Sequence, residues 1–237
     1  MVPTFRILFE LDALASTATS LFTIIPTSIS GAISHIRNRT CLPKLGIALG
    51  GGGALTSSLG VAAAQASPSW AVMLAAAAVI AYSAITMFRK ALAMGSGKAK
   101  GGTGEDMALR TFTVKQLAIA VAIGAAAGFV SGYVGVGGGF IMVPLMLSVL
   151  NLPMRIASGT SLVAVMMLAT PATIAQCLLG NVDFIVGIAT ACGSIPGALL
   201  GARLVNRVPE RTLRFLFGGF LVIAAILLVV KELGLFA

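Results

Sequence analysis

The stretch Gly128-Phe129-Val130-Ser131-Gly132-Tyr133-Val134-Gly135-Val136-Gly137-Gly138-Gly139-Phe140-Ile141-Met142-Val143-Pro144 holds the residues best suited to chemistry. Glycines let a backbone turn sharply and expose its N–H groups. A helix that begins right after them aims its free N–H groups and the positive end of its dipole at the turn, which attracts anions. Gly135, Gly137, Gly138 and Gly139 are therefore candidate anion-binding positions. The competing reading is that they only permit close helix packing. A nucleotide loop is excluded, because no Lys-Ser/Thr follows and no strand precedes. Two hydroxyl pairs, Thr19-Ser20 and Thr160-Ser161, are the second candidate set. Near mid-membrane they can donate to a substrate oxygen, or bond the preceding turn of their own helix. His35 and Gln176 lie further along the same segments, and His35 is a candidate proton carrier or an interface residue.

No other constellation assembles. Cys41, Cys177 and Cys192 have neither paired nor metal-ligand spacing, and His35 is the single histidine. No Ser/His/Asp set or paired acids can be put together, so the expectation is a protein that is not an enzyme, with no cofactor and no metal.

The elements that position these residues must sit in lipid. Of 237 residues, 58% are hydrophobic and 10% charged, and the mean hydropathy is +1.03. Soluble domains carry about 25% charge, and a soluble fold cannot hide this much apolar surface. The net charge of +9 falls in short clusters between apolar runs: Arg37, Arg39 and Lys44; Arg89, Lys90, Lys98 and Lys100; Arg203, Arg207, Arg211 and Arg214. That is the pattern of cytoplasmic loops, not a basic face with aromatics, so nucleic acid is excluded as a partner.

A membrane helix needs about 20 mostly apolar residues. Seven runs qualify: 14–36, 43–65, 69–89, 115–132, 156–179, 184–205 and 212–230. A shorter one, 136–150, follows the glycines and reads as a half-length helix. Residues 95–114 are rich in Gly, Lys and acids and read as a solvated linker. The predicted division is a first transmembrane repeat over 1–90, a cytoplasmic linker over 91–114 and a second repeat over 115–237.

The two parts are related. Met1-Val2-Pro3 aligns with Met142-Val143-Pro144. The same offset pairs Thr19-Ser20-Leu21 with Thr160-Ser161-Leu162, Gly46-Ile47-Ala48 with Gly187-Ile188-Ala189, Gly52 with Gly193, Leu59-Gly60 with Leu200-Gly201, and Pro68 with Pro209. This is an internal duplication. The loop 37–44 is basic and its mate 178–185 holds only Asp183; the loop 65–69 is uncharged and its mate 203–214 carries four arginines. Mates of opposite charge character imply repeats inserted in opposite senses, as in secondary transporters. The offset puts the counterparts of helix 115–132 and of the glycine cluster ahead of Met1, and an upstream start is the expected reason. Gly193, Gly197 and Gly201 fall on one helix face, with Gly52 and Gly60 in the mate, and read as close packing. The run Gly50 to Gly53 reads as a loosened, kinked stretch.

GFVSGYVGVGGGFIMVPLML followed by ASGTSL resembles the signature of the TauE/SafE sulfite-exporter family, and STATSLFTIIPTSISGAISHIRN is similar to that family's first half. The resemblance implies a permease of a bacterial or archaeal plasma membrane for small anions such as sulfite or organosulfonates. By position, Gly135, Gly137, Gly138, Gly139 and Pro144 carry the motif in the second half, and Pro3, Thr19 and Ser20 carry what the first half holds of it. The fold expected is all-α: a polytopic transmembrane helical bundle of two inverted-topology repeats with a glycine-broken half-helix. The function expected is export of a small sulfur-containing anion by alternating access, at the inner cell membrane. A non-transporting membrane subunit or remnant of such a permease is the alternative. The expected partners are the anion and the lipid bilayer, with a homo-oligomer left open.

Overall fold

The computed structural model describes residue 5 and residues 9–93, 114–134, 138–205 and 207–232. The predicted linker, apart from its ends, and Gly135 and Gly137 lie outside the described residues. Among the described residues are eight helices and no strand: α1 (Ala13–Arg37), α2 (Pro43–Gln65), α3 (Ser69–Ala93), α4 (Val114–Val134), α5 (Gly139–Val149), α6 (Met154–Leu178), α7 (Phe184–Leu204) and α8 (Glu210–Glu232). Every expected apolar run is a helix, and the run after the glycines is the short one, at 11 residues.

Residues Pro43–Gln65, Trp70–Leu92, Val114–Val134, Met154–Leu178 and Phe184–Leu204 are long and apolar enough to cross a bilayer. The outside of the bundle is apolar: Leu55 and Ile185 are 80% and 83% exposed. Such side chains are at rest against hydrocarbon and costly against water. The inside holds polar groups instead. Ser16, Thr17, Thr19, Ser20, Thr23 and Ser28 of α1 are all buried, which is why α1 is less apolar than its length suggests. This is a polytopic helical membrane bundle.

The offset that relates the two halves reappears in three dimensions. Helices α1 and α6 start at 13 and 154, α2 and α7 at 43 and 184, α3 and α8 at 69 and 210. The residues with left-handed backbone pair the same way: Glu10 (φ 51°) with Asn151 (φ 49°), and Arg39 (φ 53°) with Gly180 (φ 72°). Both turns that follow α1 and α6 close alike, Thr40 N–H donating to the His35 carbonyl and Asn181 N–H to that of Gln176. The mates α1 and α6 pack antiparallel: Gly31 abuts Leu162, and Gly159 abuts His35. The packing of α2 on α6, with Gly46 against Val163 and Gly50 against Met167, is repeated by α7 on α1, with Gly187 against Phe22.

Gly-to-backbone contact joins α2 to α4. A Cβ placed on Gly124, Gly128 or Gly132 would run into the backbone of Leu49, Gly53 or Ser57, and one on Gly52 or Gly60 into that of Val121 or Phe129. Only glycine lets two backbones come this close. Thr56 Oγ1 uses the proximity to donate across to the Ala125 carbonyl at 2.6 Å. The run Gly50 to Gly53 is thus not a kink. The helix α2 is continuous through it, because the glycines seat α4 and α6 on its sides. The stripe Gly193, Gly197 and Gly201 has no such contact. Nothing among the described residues lies within 4 Å of a Cβ at any of the three.

Candidate functional site

A cavity of about 600 Å³ lies among α1, α5, α6 and α8, a volume in the range of small-molecule sites. Its lining contains Ser20 with Ser161, Ile24 with Val165, and Ile80 with Leu221. Each of these pairs is related by the repeat offset, so the cavity sits on the internal two-fold. The apolar wall comes largely from α8, through Leu213, Leu216, Phe217 and Phe220. Among the described residues, no Asp, Glu, Lys or Arg lines it.

The polar part has two sources. The first is the start of α5. Gly138 is its N-cap, with φ 51° and no side-chain cap, and Gly139 and Phe140 open onto the cavity. The left-handed φ at Gly138 suits glycine and strains other residues. The first N–H groups of a helix have no partner within it, so this end offers unspent donors and positive potential to the cavity. Beside Gly138, on α4, the hydroxyl of Ser131 is buried and has no hydrogen-bond partner among the described residues.

The second source is a stripe of hydroxyls. On α1 the lining residues Ser20, Ile24, Thr27 and Ser28 follow helical spacing, as do Ser158, Ser161, Leu162 and Val165 on α6. Ser161 Oγ donates to the Ser158 carbonyl at 2.9 Å, and Ser158 Oγ to that of Met154 at 2.8 Å. Their oxygens are left as acceptors, and each hydroxyl can turn. His35 also lines the cavity, with Nδ1 held by the Thr40 hydroxyl at 2.8 Å. Its mate Gln176 does not line it; there Oε1 accepts from Asn181 Nδ2 at 2.8 Å.

The structure separates each Thr-Ser pair. Ser20 and Ser161 line the cavity, whereas Thr19 and Thr160 do not. Thr160 Oγ1 accepts from the Leu42 N–H at 3.1 Å, and Thr19 Oγ1 from the Asp183 N–H at 3.1 Å. Leu42 and Asp183 are the N-cap residues of the mates α2 and α7, so each threonine fixes the helix entry of the opposite half. Asp183 caps α7 in turn by accepting from the Val186 N–H at 3.0 Å. Beside Thr160, burial pushes the Cys41 thiol up to about 11, against a smaller downward pull from the Thr160 hydrogen bond. Thr160→Val removes the acceptor and leaves a buried N–H unsatisfied, at a cost of about 1–3 kcal/mol. Thr19→Val costs about the same, and Thr160→Ser, which keeps the oxygen, costs less. Thermal unfolding of the purified variants checks this; equal melting of Thr160→Val and wild type would count against a pinning role.

Of the residues singled out in the sequence, Gly139, Ser20 and Ser161 line this cavity. Sequence reasoning missed Thr27, Ser28 and Ser158, whose signal was the i+7 and i+8 placement relative to Ser20 on α1 and the i−3 placement relative to Ser161 on α6.

A helix that starts at Gly138 beside a cavity shared by two halves related by the repeat offset is the arrangement of membrane transporters of the inverted-repeat kind. Residues 1–228 match the family described as Sulfite exporter TauE/SafE, and the chain belongs to that family. It is 31% identical over 209 residues to the probable membrane transporter protein YdhB of Bacillus subtilis (strain 168), covering 88% of this chain and 81% of that one. It is 27% identical over 201 residues to YunE of the same strain, also named a probable membrane transporter protein, covering 82% of this chain and 73% of that one. No solved structure matches it. The chain is therefore a multi-pass membrane transporter and not an enzyme.

Proposed function

We propose that this transporter moves a small sulfur-containing oxyanion, such as sulfite or an organosulfonate, outward across the inner cell membrane. The observation that carries the reading is the uncapped start of α5, which opens onto a cavity that also holds Ser20 and Ser161. Backbone N–H groups and hydroxyls satisfy a tetrahedral or pyramidal oxyanion through hydrogen bonds, and among the described residues no carboxylate lines the cavity to repel it. The apolar wall of α8 accommodates an organic substituent. Gly135 and Gly137 are part of the same sequence motif, while Thr19 and Thr160 hold the entries of α7 and α2. Ser20 and Ser161 are related by the repeat offset and line the same cavity. Rocking of the halves about that axis exposes the site to each side in turn.

The test is flux of radiolabelled sulfite and of an alkylsulfonate in proteoliposomes. Wild type is expected to pass at least one of them faster than protein-free vesicles. Ser20→Ala/Ser161→Ala is expected to raise the half-saturating concentration about tenfold, because two neutral hydrogen bonds are worth roughly 0.5–1.5 kcal/mol each. Vesicles that show no flux above the protein-free control for any sulfur oxyanion would favour the non-transporting subunit.

A further inference from the structure

The cavity is a seam between two packed units. Helix α8 packs mainly on α3, with Met87 and Phe88 against Gly218 and the Phe88 and Phe215 rings 5.9 Å apart. Helices α1, α2, α4, α6 and α7 pack on one another, and α5 rests chiefly on α6. One wall of the cavity is therefore α8 with Ile80 of α3, and the other is α1, α5 and α6. The α3–α8 pair takes one helix from each half, so the seam has two ends related by the repeat offset.

Different chemistry closes the two ends. One end brings together the close of α3, the close of α5 and the starts of α6 and α8. There Glu210 Oε1 accepts from the Met154 N–H at 3.1 Å and from Arg214 Nη2 at 2.6 Å. Arg155 Nη2 donates to the Val208 carbonyl at 2.7 Å, and Lys90 Nζ to Ser148 Oγ at 2.6 Å. The N–H at the start of a helix has no partner within it, and Pro153 gives α6 no side-chain cap. Glu210 meets that need from across the seam. Met154 also lines the cavity, so this cluster stands at its rim. Arg89, Arg203 and Arg207 lie at the same end of the helices, the pattern of a cytoplasmic face.

At the other end the counterparts of Glu210, Arg214, Met154 and Arg155 are Ser69, Met73, Ala13 and Leu14, none of them charged. Met73 is buried with Val72 in an apolar cluster that includes Ala64 of α2 and Val134 of α4. Apolar side chains next to lipid exchange neighbours at little cost, because the tails are as apolar as they are. A charge-assisted hydrogen bond is short and directional, and is either made or broken.

We propose that Glu210, Arg214 and Lys90 form a latch that holds the cytoplasmic end of the cavity closed. Glu210 ties α8 to the start of α6, Arg214 holds the carboxylate in place, and Lys90 ties α3 to α5. Release lets the α3–α8 pair swing away from α5 and α6 about its apolar outer end, which opens the cavity to the cytoplasm. The inference rests on the rocking proposed above and says where it occurs and what restrains it; it does not depend on which anion is carried.

The test is labelling of a cavity cysteine from each side of the membrane. Ile24→Cys, on the cavity wall, is placed in the full chain with Cys41, Cys177 and Cys192 changed to Ser. A membrane-impermeant methanethiosulfonate is added to inside-out and to right-side-out vesicles. Glu210→Ala with Lys90→Met is expected to raise the rate of modification from the cytoplasmic face about tenfold, since charge-assisted bonds are lost. The rate from the outer face should stay the same or fall. Glu210→Gln keeps an oxygen for the Met154 N–H but loses the ion pair, and should raise the cytoplasmic rate about threefold; it decides the matter if the double variant does not fold. Arg211→Ala removes an exposed charge of the same helix and should leave both rates unchanged. An unaltered ratio of the two rates overturns the latch. An equal rise from both faces does so too, because a merely loosened fold gives that result. The readout needs no substrate: failure of the substrate reading shows as absent sulfite flux with the ratio still moving, and failure of the latch as a fixed ratio whatever the flux.

Discussion

Gly128→Leu is expected to remove the folded protein. Gly128 sits in the middle of the α4 stripe, and a Cβ there would enter the backbone of Gly53, whose carbonyl and Cα are its nearest atoms. Backbone cannot swing aside as a side chain can, so the helices must separate over the whole parallel contact. That separation loosens the seats of Gly124 and Gly132 and breaks the Thr56–Ala125 hydrogen bond. Overpacking a core with side-chain neighbours costs about 1–3 kcal/mol, and a backbone clash of this kind belongs to the tail above about 4 kcal/mol. Set against a total stability of roughly 5–15 kcal/mol, this is enough to lose most of the folded population. Gly51→Leu is the matched control: its Cβ meets nothing among the described residues, and the added side chain enters lipid. The measurement is the yield of monodisperse protein in mild detergent together with the melting temperature. If the two variants behave alike, the glycine contact between α2 and α4 is not what holds them.

Ser161→Asp is expected to stop anion flux while Ser161→Asn largely preserves it. The residue lies on the cavity wall, in the same chamber as the start of α5. Among the described residues, no anionic side chain lines the cavity in the wild type. A carboxylate about 4 Å from a bound anion costs about 4 kcal/mol at an effective dielectric constant near 20, or roughly a thousandfold in affinity. Partial protonation of the new acid in that apolar setting reduces the effect, so the expected loss at neutral pH is at least a hundredfold. Asn has nearly the same size and no charge, which isolates electrostatics from bulk. Sulfite flux through proteoliposomes containing each variant decides it. Equal loss with Asn would mean that space alone matters at this position, and equal retention with Asp would place the anion elsewhere.

Ser20 and Ser161 stood out in the sequence, while the run Gly50 to Gly53 read as a kink and is a seat for two helices. Helix positions followed from uninterrupted apolar length, a property that lipid enforces locally because every backbone hydrogen bond must close within its own segment. The duplication was legible as well, since a common offset survives in Gly, Pro and Thr-Ser positions whatever the packing. Mates of opposite loop charge implied opposite insertion, and the antiparallel contact of α1 with α6 agrees with it.

What composition and spacing left open was the direction each side chain faces. Thr19 and Ser20 are neighbours in the chain, yet about 100° of helix separates them; one fixes the α7 entry and the other lines the cavity. The same ambiguity surrounded the glycines. Gly52 and Gly193 occupy equivalent places in the two halves, and the sequence assigned both to packing. Only the tertiary structure showed that the first is pressed against Val121 while the second faces open space among the described residues. Sequence alone thus determined that the chain is a duplicated bundle of membrane helices with a glycine break. Tertiary structure decided which hydroxyls meet in the cavity and which glycine face has its helix, because those depend on neighbours distant in sequence that no local pattern records.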